Sequence, residues 1–462
     1  MSLTSALSIA QRSLLNTGRQ TSIVSRNIAE QSNPDYSRRS TSLDLGSDGA
    51  QFLSVQRATN EVLFKQNLSA LSSASGQNTL LDGLNQLATA VNGASNDATI
   101  ASGLGKLQEA LTLYAASPSN RTLALNAVEA ARQLVGSLNN ATQALQSFRT
   151  EADAQIATNV DDLNQLLAQF QDANQTIVAG TRTGADVNEA YDQRDKLLKQ
   201  IAEIIPVSAT TRADNDISLV TQDGVVLFDK VPRSVSFTPS AAYQPSSTGN
   251  RVYVDGVPLA PAATSDAQGS LSALLHLRDE VAPTMQTQLD EIARGVTEAF
   301  AVGGSAGLVT WVGSGSSTDV GFAGVVRINV EYDANAGGDP ELLRGAGSAA
   351  SDGTQIQSFL GKLEAPFAFS AAAGLGSASR TLGDFATMSV SWLDGQRKTA
   401  SEISETKSAL ATRTAAALSN ATGVNIDEEM SLLLELEHSY QASARILKAV
   451  DEMLLSLMNA VS

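Results

Sequence analysis

Both ends of the chain carry apolar residues in a heptad repeat, and nothing adjacent in the sequence can pack against either repeat. A spacing that averages about 3.5 residues keeps one stripe of a helix facing a partner helix over many turns. We therefore expect two terminal helices that pair with each other or with helices of neighbouring subunits. The N-terminal repeat consists of Leu3, Leu7, Ala10, Leu14, Thr17, Thr21, Val24 and Ile28. The C-terminal repeat consists of Leu433, Leu436, Tyr440, Ser443, Leu447, Val450, Leu454, Leu457 and Val461.

The two ends carry opposite charges. Residues 1–29 contain Arg12, Arg19 and Arg26 and no acidic residue, so their net charge is +3. Residues 427–462 contain seven acidic and two basic residues, so their net charge is −5. Opposite signs favour pairing of one end with the other over pairing of like ends. Exposed ion pairs contribute only about 0–1 kcal/mol each, so we expect the charges to select the partner more than to strengthen the pair.

Length and composition exclude several classes of protein. A chain of 462 residues predicts two to four domains. The net charge of −17 without a strongly basic patch argues against a nucleic-acid partner. The absence of cysteine excludes thiol catalysis, cysteine-based zinc sites and disulfides, and it suits a chain that crosses into an oxidising exterior. No apolar stretch of about twenty residues and no signal-peptide pattern occurs, so we expect no membrane insertion and either a cytoplasmic location or export without a cleaved signal.

Proline divides the chain into helical and β-rich segments, because proline breaks helix interiors. Long helices are predicted from about residue 61 to 205, where Ser117 and Pro118 begin a new helix, from about 270 to 300 with a bend at Pro283, and from about 384 to 419. Alternating apolar residues and Asp-Gly turns predict strands between residues 207 and 262. A second β-rich part includes the alternating set Val326, Ile328, Val330 and Tyr332.

These patterns predict an α+β, mainly α fold with paired terminal coiled-coil helices, a long helical bundle and a β-rich inserted domain. We expect the terminal helices at one end, the bundle next and the β-rich domain farthest away. The expected terminal assembly domain comprises residues 1–60 with 421–462. The expected bundle comprises residues 61–206 with 263–302 and 380–420, and the expected β-rich domain comprises residues 207–262 with 303–352.

Stretches at both ends resemble the signatures of the bacterial flagellar axial proteins. Residues 25–38 resemble Asn-Ile-Ala-Asn-x-x-Thr-Pro-Gly-Tyr-Ser-Arg, and residues 423–429 resemble Gly-Val-Asn-x-Asp-Glu-Glu. Rod, hook and hook–filament junction proteins share these signatures. One departure is that Asp35 stands where the family has glycine, so we expect a slightly different turn there. The matching residues near the ends are Asn27, Pro34, Tyr36, Gly423, Asn425, Asp427 and Glu428.

The interior resembles the hook-associated branch of this family, which forms the hook–filament junction. Asp192, Arg194 and Asp195 lie in a segment that resembles its Asp-Gln-Arg-Asp motif, and residues 269–280 resemble its Gly-x-Leu-x-x-Leu-x-x-x-Arg-Asp helix. The resemblance implies a secreted structural protein of the extracellular flagellum, on which the filament grows. It implies these partners: further copies of the chain in a ring or helical oligomer, hook protein, the second junction protein, a cytoplasmic export chaperone on the C-terminal helix, and the type III export apparatus.

Two alternatives stay open. One is another axial protein, either hook protein or the second junction protein. The other is a secreted enzyme or adhesin with coiled-coil ends, which would need a catalytic or binding constellation in the β-rich part. His276 and His438 lie far apart in predicted helices, and Asp214 to Asp216 is better explained as a polar turn than as a calcium loop. We therefore expect no catalytic, cofactor-binding or metal-ligating residues, and we expect the apolar residues of the terminal repeats to be the assembly interface.

Overall fold

The structure, a computed structural model, describes residues 3–45, 51–93, 99–259, 267–305, 307–313 and 315–461. In these residues the fold is mainly α with small antiparallel sheets, which confirms the predicted α+β, mainly α class. The helices are α1 (Leu3–Ala29), α2 (Glu61–Asn92), α3 (Ile100–Ala116), α4 (Arg121–Thr183), α5 (Asn188–Ile204), α6 (Ser270–His276), α7 (Ala282–Ala299), α8 (Thr354–Glu364), α9 (Leu382–Thr422) and α10 (Ile426–Val461). The strands are β1 (Arg39–Leu45), β2 (Gln51–Arg57), β3 (Val207–Thr211), β4 (Ile217–Thr221), β5 (Val226–Asp229), β6 (Val231–Pro232), β7 (Val235–Ser236), β8 (Tyr253–Val254), β9 (Val257–Pro258), β10 (Val309–Trp311) and β11 (Val326–Ile328).

The terminal helices α1 and α10 pack against each other in an antiparallel pair. The Ser13 and Ser443 hydroxyls lie 2.9 Å apart, and the Asn27 amide donates to Glu429 at 3.0 Å. A step of fourteen residues forward along α1 therefore matches a step of fourteen residues backward along α10. Burial follows the heptad: the residues buried in this pair, seven apart on each helix, are Ala10, Thr17 and Val24 on α1 and Glu429, Leu436, Ser443 and Val450 on α10.

We call the elements from α2 to α9 the body. Helix α4 is its central helix, because two separate apolar clusters form along the 63 residues of α4. Its first half packs with α3 and α7, and α8 and the first half of α9 join the same apolar cluster through those two helices. Its second half packs with α5 and with strands of the first β-rich segment. Helices α2 and α9 run antiparallel alongside, joined by polar bonds such as Asn78 to Ser404 and Asn85 to Arg397.

The two β-rich segments do not share a sheet. Among the residues that the structure describes, β3 to β6 form one antiparallel sheet and β7 to β9 another, whereas β10 pairs only with β11 in a third. The first segment packs in the cluster around the second half of α4, and β10–β11 packs in the cluster around the first half. This differs from the expectation that residues 207–262 and 303–352 form one β-rich domain. The reason is that α4 is long enough to carry two separate apolar clusters along its length.

Local structure departs from the sequence expectation at three places. Asn120, not Ser117, caps α4, because Ser117 ends α3. The bend expected at Pro283 is a π-helical turn over Leu277–Val281, since proline lacks the N–H that would continue the regular pattern. Only the first half of the expected strand after residue 325 forms, as β11.

A buried ion pair fixes a long irregular segment to the body. Asp153 on α4 and Arg278 in the π-helical turn are both fully buried and form a salt bridge. The Asp153 carboxylate also accepts from the Tyr243 hydroxyl at 2.8 Å, and Arg278 donates to the Asn250 carbonyl at 2.8 Å. Arg149 donates to the Ser247 carbonyl at 2.6 Å. The segment between β7 and β8 forms no strand, and these charged side chains hold it against the body instead.

Asp290 on α7 is a buried carboxylate with polar but uncharged partners. Its oxygens accept from the backbone N–H groups of Gly321 at 2.7 Å and Ala323 at 2.8 Å and from the Gln286 amide at 2.9 Å. Burial raises the pKa of Asp290 from 3.8 to about 6, against the lowering effect of these hydrogen bonds. The carboxylate anchors the turn at Phe322–Gly324 to α7.

We expect Asp290 to make the protein less stable as the pH rises from about 4 to about 6. The folded chain then binds a proton that the unfolded chain has released, so the free energy of unfolding falls with pH, by about 3 kcal/mol at most from this group. Urea unfolding of the wild type and of Asp290→Asn at about pH 4.5 and about pH 7 measures this fall in the free energy of unfolding. The stability advantage of the wild type over the variant should shrink at the higher pH. An advantage that grows with pH would contradict the raised pKa.

No helix in the described part of the chain is both long enough and apolar enough to span a membrane.

Candidate functional site: a joint between the terminal helices and the body

The matched family residues of the two ends meet around Asn27, whose side chain is fully buried at the end of α1. Its amide donates to the Arg39 carbonyl at 2.8 Å and to Glu429 at 3.0 Å. Its oxygen accepts from the Tyr36 hydroxyl at 2.7 Å and from the Arg39 N–H at 3.1 Å. One asparagine thus joins α1, the loop after it, the start of β1 and α10. Only a side chain with both donors and an acceptor can make this set of bonds.

Glu429 supplies a buried negative charge at the start of α10. Its carboxylate is fully buried and accepts from the Arg38 guanidinium at 2.6 Å as well as from Asn27. The Arg38 backbone N–H donates to the Thr422 carbonyl at the end of α9, at 2.7 Å. Arg38 therefore contacts both helices that meet at the turn between α9 and α10, and it holds that turn against the N-terminal segment.

Two arginines of the β1–β2 hairpin bind the carboxylates of α5. Asp192 accepts from Arg57 at 2.7 Å and from Arg39 at 3.1 Å, and Asp195 accepts from Arg57 at 2.5 Å. Burial raises the pKa of the Asp192 carboxyl, and the adjacent positive charge of Arg57 opposes that rise. The Arg39 guanidinium also lies over the Tyr36 ring, at 5.0 Å. We call Asn27, Tyr36, Arg38, Arg39, Arg57, Asp192, Asp195 and Glu429 the joint.

Arg194, the third residue of the predicted interior motif, lies beside the joint and faces the other way. It donates to Asn174 on α4 at 3.0 Å and to the Asn215 carbonyl at 2.7 Å. Burial lowers the pKa of Arg194. The motif therefore splits: its two aspartates bind the hairpin, and its arginine binds α4 and the loop before β4. The Asp214–Asp216 segment is a polar turn held by these bonds.

The remaining residues of the C-terminal signature shape the turn into α10. A Cβ on Gly423 would lie 2.5 Å from the Ser419 carbonyl oxygen, so that position admits only glycine without a shift. The Asn425 side chain accepts from the Asp427 N–H at 3.0 Å and caps α10. Asp427 and Glu428 are exposed in its first turn, and Glu428 lies 3.6 Å from Arg38.

The loop around Pro34 does not need the missing glycine. Pro34 is exposed, and Asp35 does not have a positive φ angle. The Asn33 side chain accepts from the Asp35 N–H at 3.0 Å, which forms the turn, and the Asp35 carboxylate binds Lys199 on α5 at 2.9 Å. The aspartate thus adds a bond between this loop and the body.

The predicted interface residues fall into rows of different burial. Val24, Leu436 and Val450 are buried between α1 and α10. Tyr440 is 51% exposed. The side chains of Leu3 and Leu457 lie outside the described residues. The half-buried members are Leu7, Leu14, Ile28, Leu433, Leu447 and Leu454.

Arg38 and Glu429 stand in the two terminal signatures but were given no role, and sequence reasoning missed Arg39 and Arg57 altogether. Glu429 carried a usable signal, since it stands seven residues before Leu436 in a row that is otherwise apolar or small. An acid in such a row is buried unless the helix ends there, and a buried acid needs a partner. The arginines carried no such signal, because their partners are far away in the sequence.

The joint offers positioning and not bond-breaking chemistry. Each charged group in it is bound to a partner, and none is placed as a nucleophile with an adjacent base. Among the residues that the structure describes, no group of three or more His, Asp or Glu side chains could hold a metal ion. What the arrangement can do is fix the direction in which α1 and α10 leave the body.

Comparisons with known proteins agree on one family. The family model described as flagellar hook-associated protein FlgK helical domain matches residues 78–310, just over half of the chain. The model described as flagellar basal body rod FlgEFG protein C-terminal matches residues 417–460.

Several relatives share one name, flagellar hook-associated protein 1. The one from Bacillus subtilis is 21% identical over 98% of this chain and 98% of its own length. The one from Escherichia coli is 28% identical over 39% of this chain and 36% of its own. The one from Salmonella typhimurium is 26% identical over 63% and 54%. A solved structure of the flagellar hook junction protein FlgK from Burkholderia pseudomallei aligns with a TM-score of 0.46 and 19% identity, over 54% of this chain and 47% of that one.

Proposed function

We propose, because this chain belongs to the FlgK family of flagellar hook-associated proteins, that it forms the junction between hook and filament and lets the filament grow on the hook. The coarser statement, that it is a flagellar hook-associated structural protein, follows from family membership. The junction role rests on the interior motifs at Asp192 and at residues 269–280, which resemble that branch and not the hook or rod proteins.

We propose that the α1–α10 pair, within residues 1–60 and 421–462, is the assembly domain. The observation that carries this is the apolar surface that the pair leaves uncovered. Large side chains that are at least half exposed lie on both helices, where a soluble helix pair would carry polar residues: Ile9, Leu15, Leu434, Tyr440, Ile446, Met453, Leu455 and Met458. An accumulation of exposed large apolar side chains on one pair of helices suits an interaction site.

The proposed mechanism couples ordering to assembly. The α1–α10 pair covers the heptad stripe of each helix but leaves the large apolar side chains named above in water, so the ends gain order when neighbouring subunits cover those side chains. The joint then sets the angle between the assembled ends and the body. The proposed neighbours are further copies of the chain, hook protein and the second junction protein. Before assembly, the exposed face of α10 suits an export chaperone, and the chain would leave the cell through the type III export apparatus to an extracellular position.

Deletion of the gene tests the junction role. We expect cells with hooks but without filaments, and unassembled flagellin in the medium. Missing hooks would instead indicate a rod or hook part, and normal filaments would contradict a flagellar role. Electron microscopy of the cells and an assay of the medium for flagellin distinguish these results.

Leu447→Asp tests the assembly surface in a complemented deletion strain. The substitution places a charge in the half-buried row of α10, so we expect at least a tenfold loss of filament-bearing cells while the body keeps its thermal transition. The matched control is Ala449→Asp, which adds the same charge at an exposed position two residues away. Equal numbers of filament-bearing cells with both variants would argue against the half-buried row of α10 as an assembly surface.

A further inference from the structure

A groove runs along one face of α2, and two cavities form it. The first, of about 330 Å³, lies between α2, α4 and α6 and has Phe148 and Leu277 in its wall. The second, of about 430 Å³, lies between α2, the end of α5 and α9. Thr79 and Asp82 line both cavities, so the two adjoin at one turn of α2. The lining residues of α2 span positions 71–86, which is about 22 Å of helix.

The groove is anionic. Among the described residues that line it, two are charged, Asp82 and Glu203, and none is lysine, arginine or histidine. Within the described part of the chain, neither carboxylate forms a hydrogen bond or an ion pair. Lys199, one helical turn before Glu203, is bound to Asp35 instead. Partial desolvation raises the pKa of the Glu203 carboxyl, and no neighbouring cation offsets this rise.

Basic residues of α9 near the groove have other positions or partners. Arg397 binds Asn85 and Asp394. Lys407 stands five residues before Thr412, a lining residue, and five residues correspond to about 140° around a helix. The two carboxylates of the groove therefore stay available to a cation from outside the chain.

The walls of the groove beside the carboxylates are partly apolar. Phe148 and Leu274 line the first cavity, and Leu71 and Ala411 line the second. An aliphatic ammonium places its methylene groups against such a wall and keeps its charge in water or on a carboxylate. An aromatic ring also attracts an ammonium group. The groove therefore suits a ligand whose positive charges are separated by methylene groups.

We propose that this groove binds a linear aliphatic polyamine, with ammonium groups at Asp82 and Glu203 and the methylene chain along the apolar walls. This goes beyond the proposed assembly role, because the groove belongs to the body and none of the described residues that line it lies in α1 or α10. A compact divalent cation would leave the apolar walls in water. The described residues also hold no group of three or more acidic or histidine side chains that could bind such an ion.

Titration of the purified full chain with spermidine, followed by calorimetry, tests the proposal. We expect one saturable site in the wild type and at least tenfold weaker binding in the double variant Asp82→Asn with Glu203→Gln. The matched control is Asp161→Asn with Asp162→Asn, which removes the same charge from exposed positions on α4 and should keep the wild-type affinity. Equal weakening by both double variants would show general attraction to an acidic chain and would overturn the site, as would the absence of saturable binding.

A lysine placed in the groove should replace the ligand. Gln155 lines the first cavity at an exposed position, so Gln155→Lys supplies an ammonium group from the chain itself, and we expect at least tenfold weaker binding of spermidine. Gln165→Lys adds the same charge at an exposed position ten residues along α4 and should bind spermidine within about twofold of the wild type. Unchanged binding by Gln155→Lys would contradict the proposed position of the ligand.

Two further ligands identify the chemistry that the groove recognises. Magnesium chloride at the same ionic strength should not displace spermidine, and full displacement would show that the apolar walls play no part. A lysine-rich peptide that binds at Asp82 and Glu203 when spermidine does not would make the groove a protein-docking site and would overturn the polyamine assignment. These measurements use the purified chain, so their outcome is independent of whether deletion of the gene leaves hooks without filaments.

Discussion

Asp153→Ala is expected to lower the free energy of unfolding of the body by about 3–5 kcal/mol. The substitution removes the fully buried one of the two carboxylates that pair with the Arg278 guanidinium and leaves it with the partly exposed Asp279 alone, and removing one partner of a buried ion pair costs about that much. It also removes the acceptor of the Tyr243 hydroxyl and of the Ser240 N–H. Urea unfolding followed by circular dichroism measures the change.

Two further variants show whether the loss comes from the broken Asp153–Arg278 ion pair. Asp161→Ala removes an exposed carboxylate from the same helix and should change stability by less than about 0.5 kcal/mol. Asp153→Leu combined with Arg278→Met should recover part of the stability, because no buried charge remains. A double variant less stable than Asp153→Ala would show that the salt bridge is not the cause.

Glu429→Ala is expected to release the terminal helices from the body and to abolish filament attachment. It leaves the Arg38 guanidinium and the Asn27 amide without their buried acceptor, and each unsatisfied group costs about 1–3 kcal/mol, more where charged. The bonds of Arg39 and Arg57 to Asp192 and of Asp35 to Lys199 still hold the β1–β2 hairpin and the loop before it to α5, so loss of the Glu429 contacts should not unfold the body. Limited proteolysis should cut near residues 30–38 and 422–426 much faster than in the wild type, while the thermal transition of the body stays within about 2 °C.

The adjacent residue provides the matched control. Glu428→Ala removes an exposed carboxylate that lies 3.6 Å from the same arginine, and we expect nearly wild-type proteolysis and filaments. If Glu428→Ala were as damaging as Glu429→Ala, the effect would come from general charge near Arg38. Glu429→Gln, which keeps an acceptor oxygen and loses the charge, should fall between the two.

The helices were predictable from the sequence, because their periodicity is local information. The antiparallel register of α1 and α10 follows the predicted heptads, and buried Val24 and Val450 lie in those rows. Gly423 and Asn425 were singled out by resemblance, and each serves the turn into α10 through contacts within a few residues.

The joint and the β-rich segments were not predictable in the same way, because their contacts join distant residues. Arg57 binds Asp192 across 135 positions, and nothing near Arg57 indicates that partner. The strands from β3 to β9, which are two to five residues long, were expected from apolar alternation and Asp-Gly turns, but their division into two sheets was not. The chain between β7 and β8 is placed by Arg149 and Arg278, whose roles depend on where α4 and the π-helical turn pass.

The contact between Asn27 and Glu429 spans 402 positions, so it is among the last in the fold that can form during synthesis. The ribosome releases α1 first, and no fragment that stops before residue 429 can supply the buried carboxylate that its end requires. Helices α3 and α4, in contrast, are joined by a short loop and can pack as soon as both have emerged. In a nascent chain, helices of the body can therefore pack while α1 still lacks its partner. The joint can form only after translation has passed the start of α10.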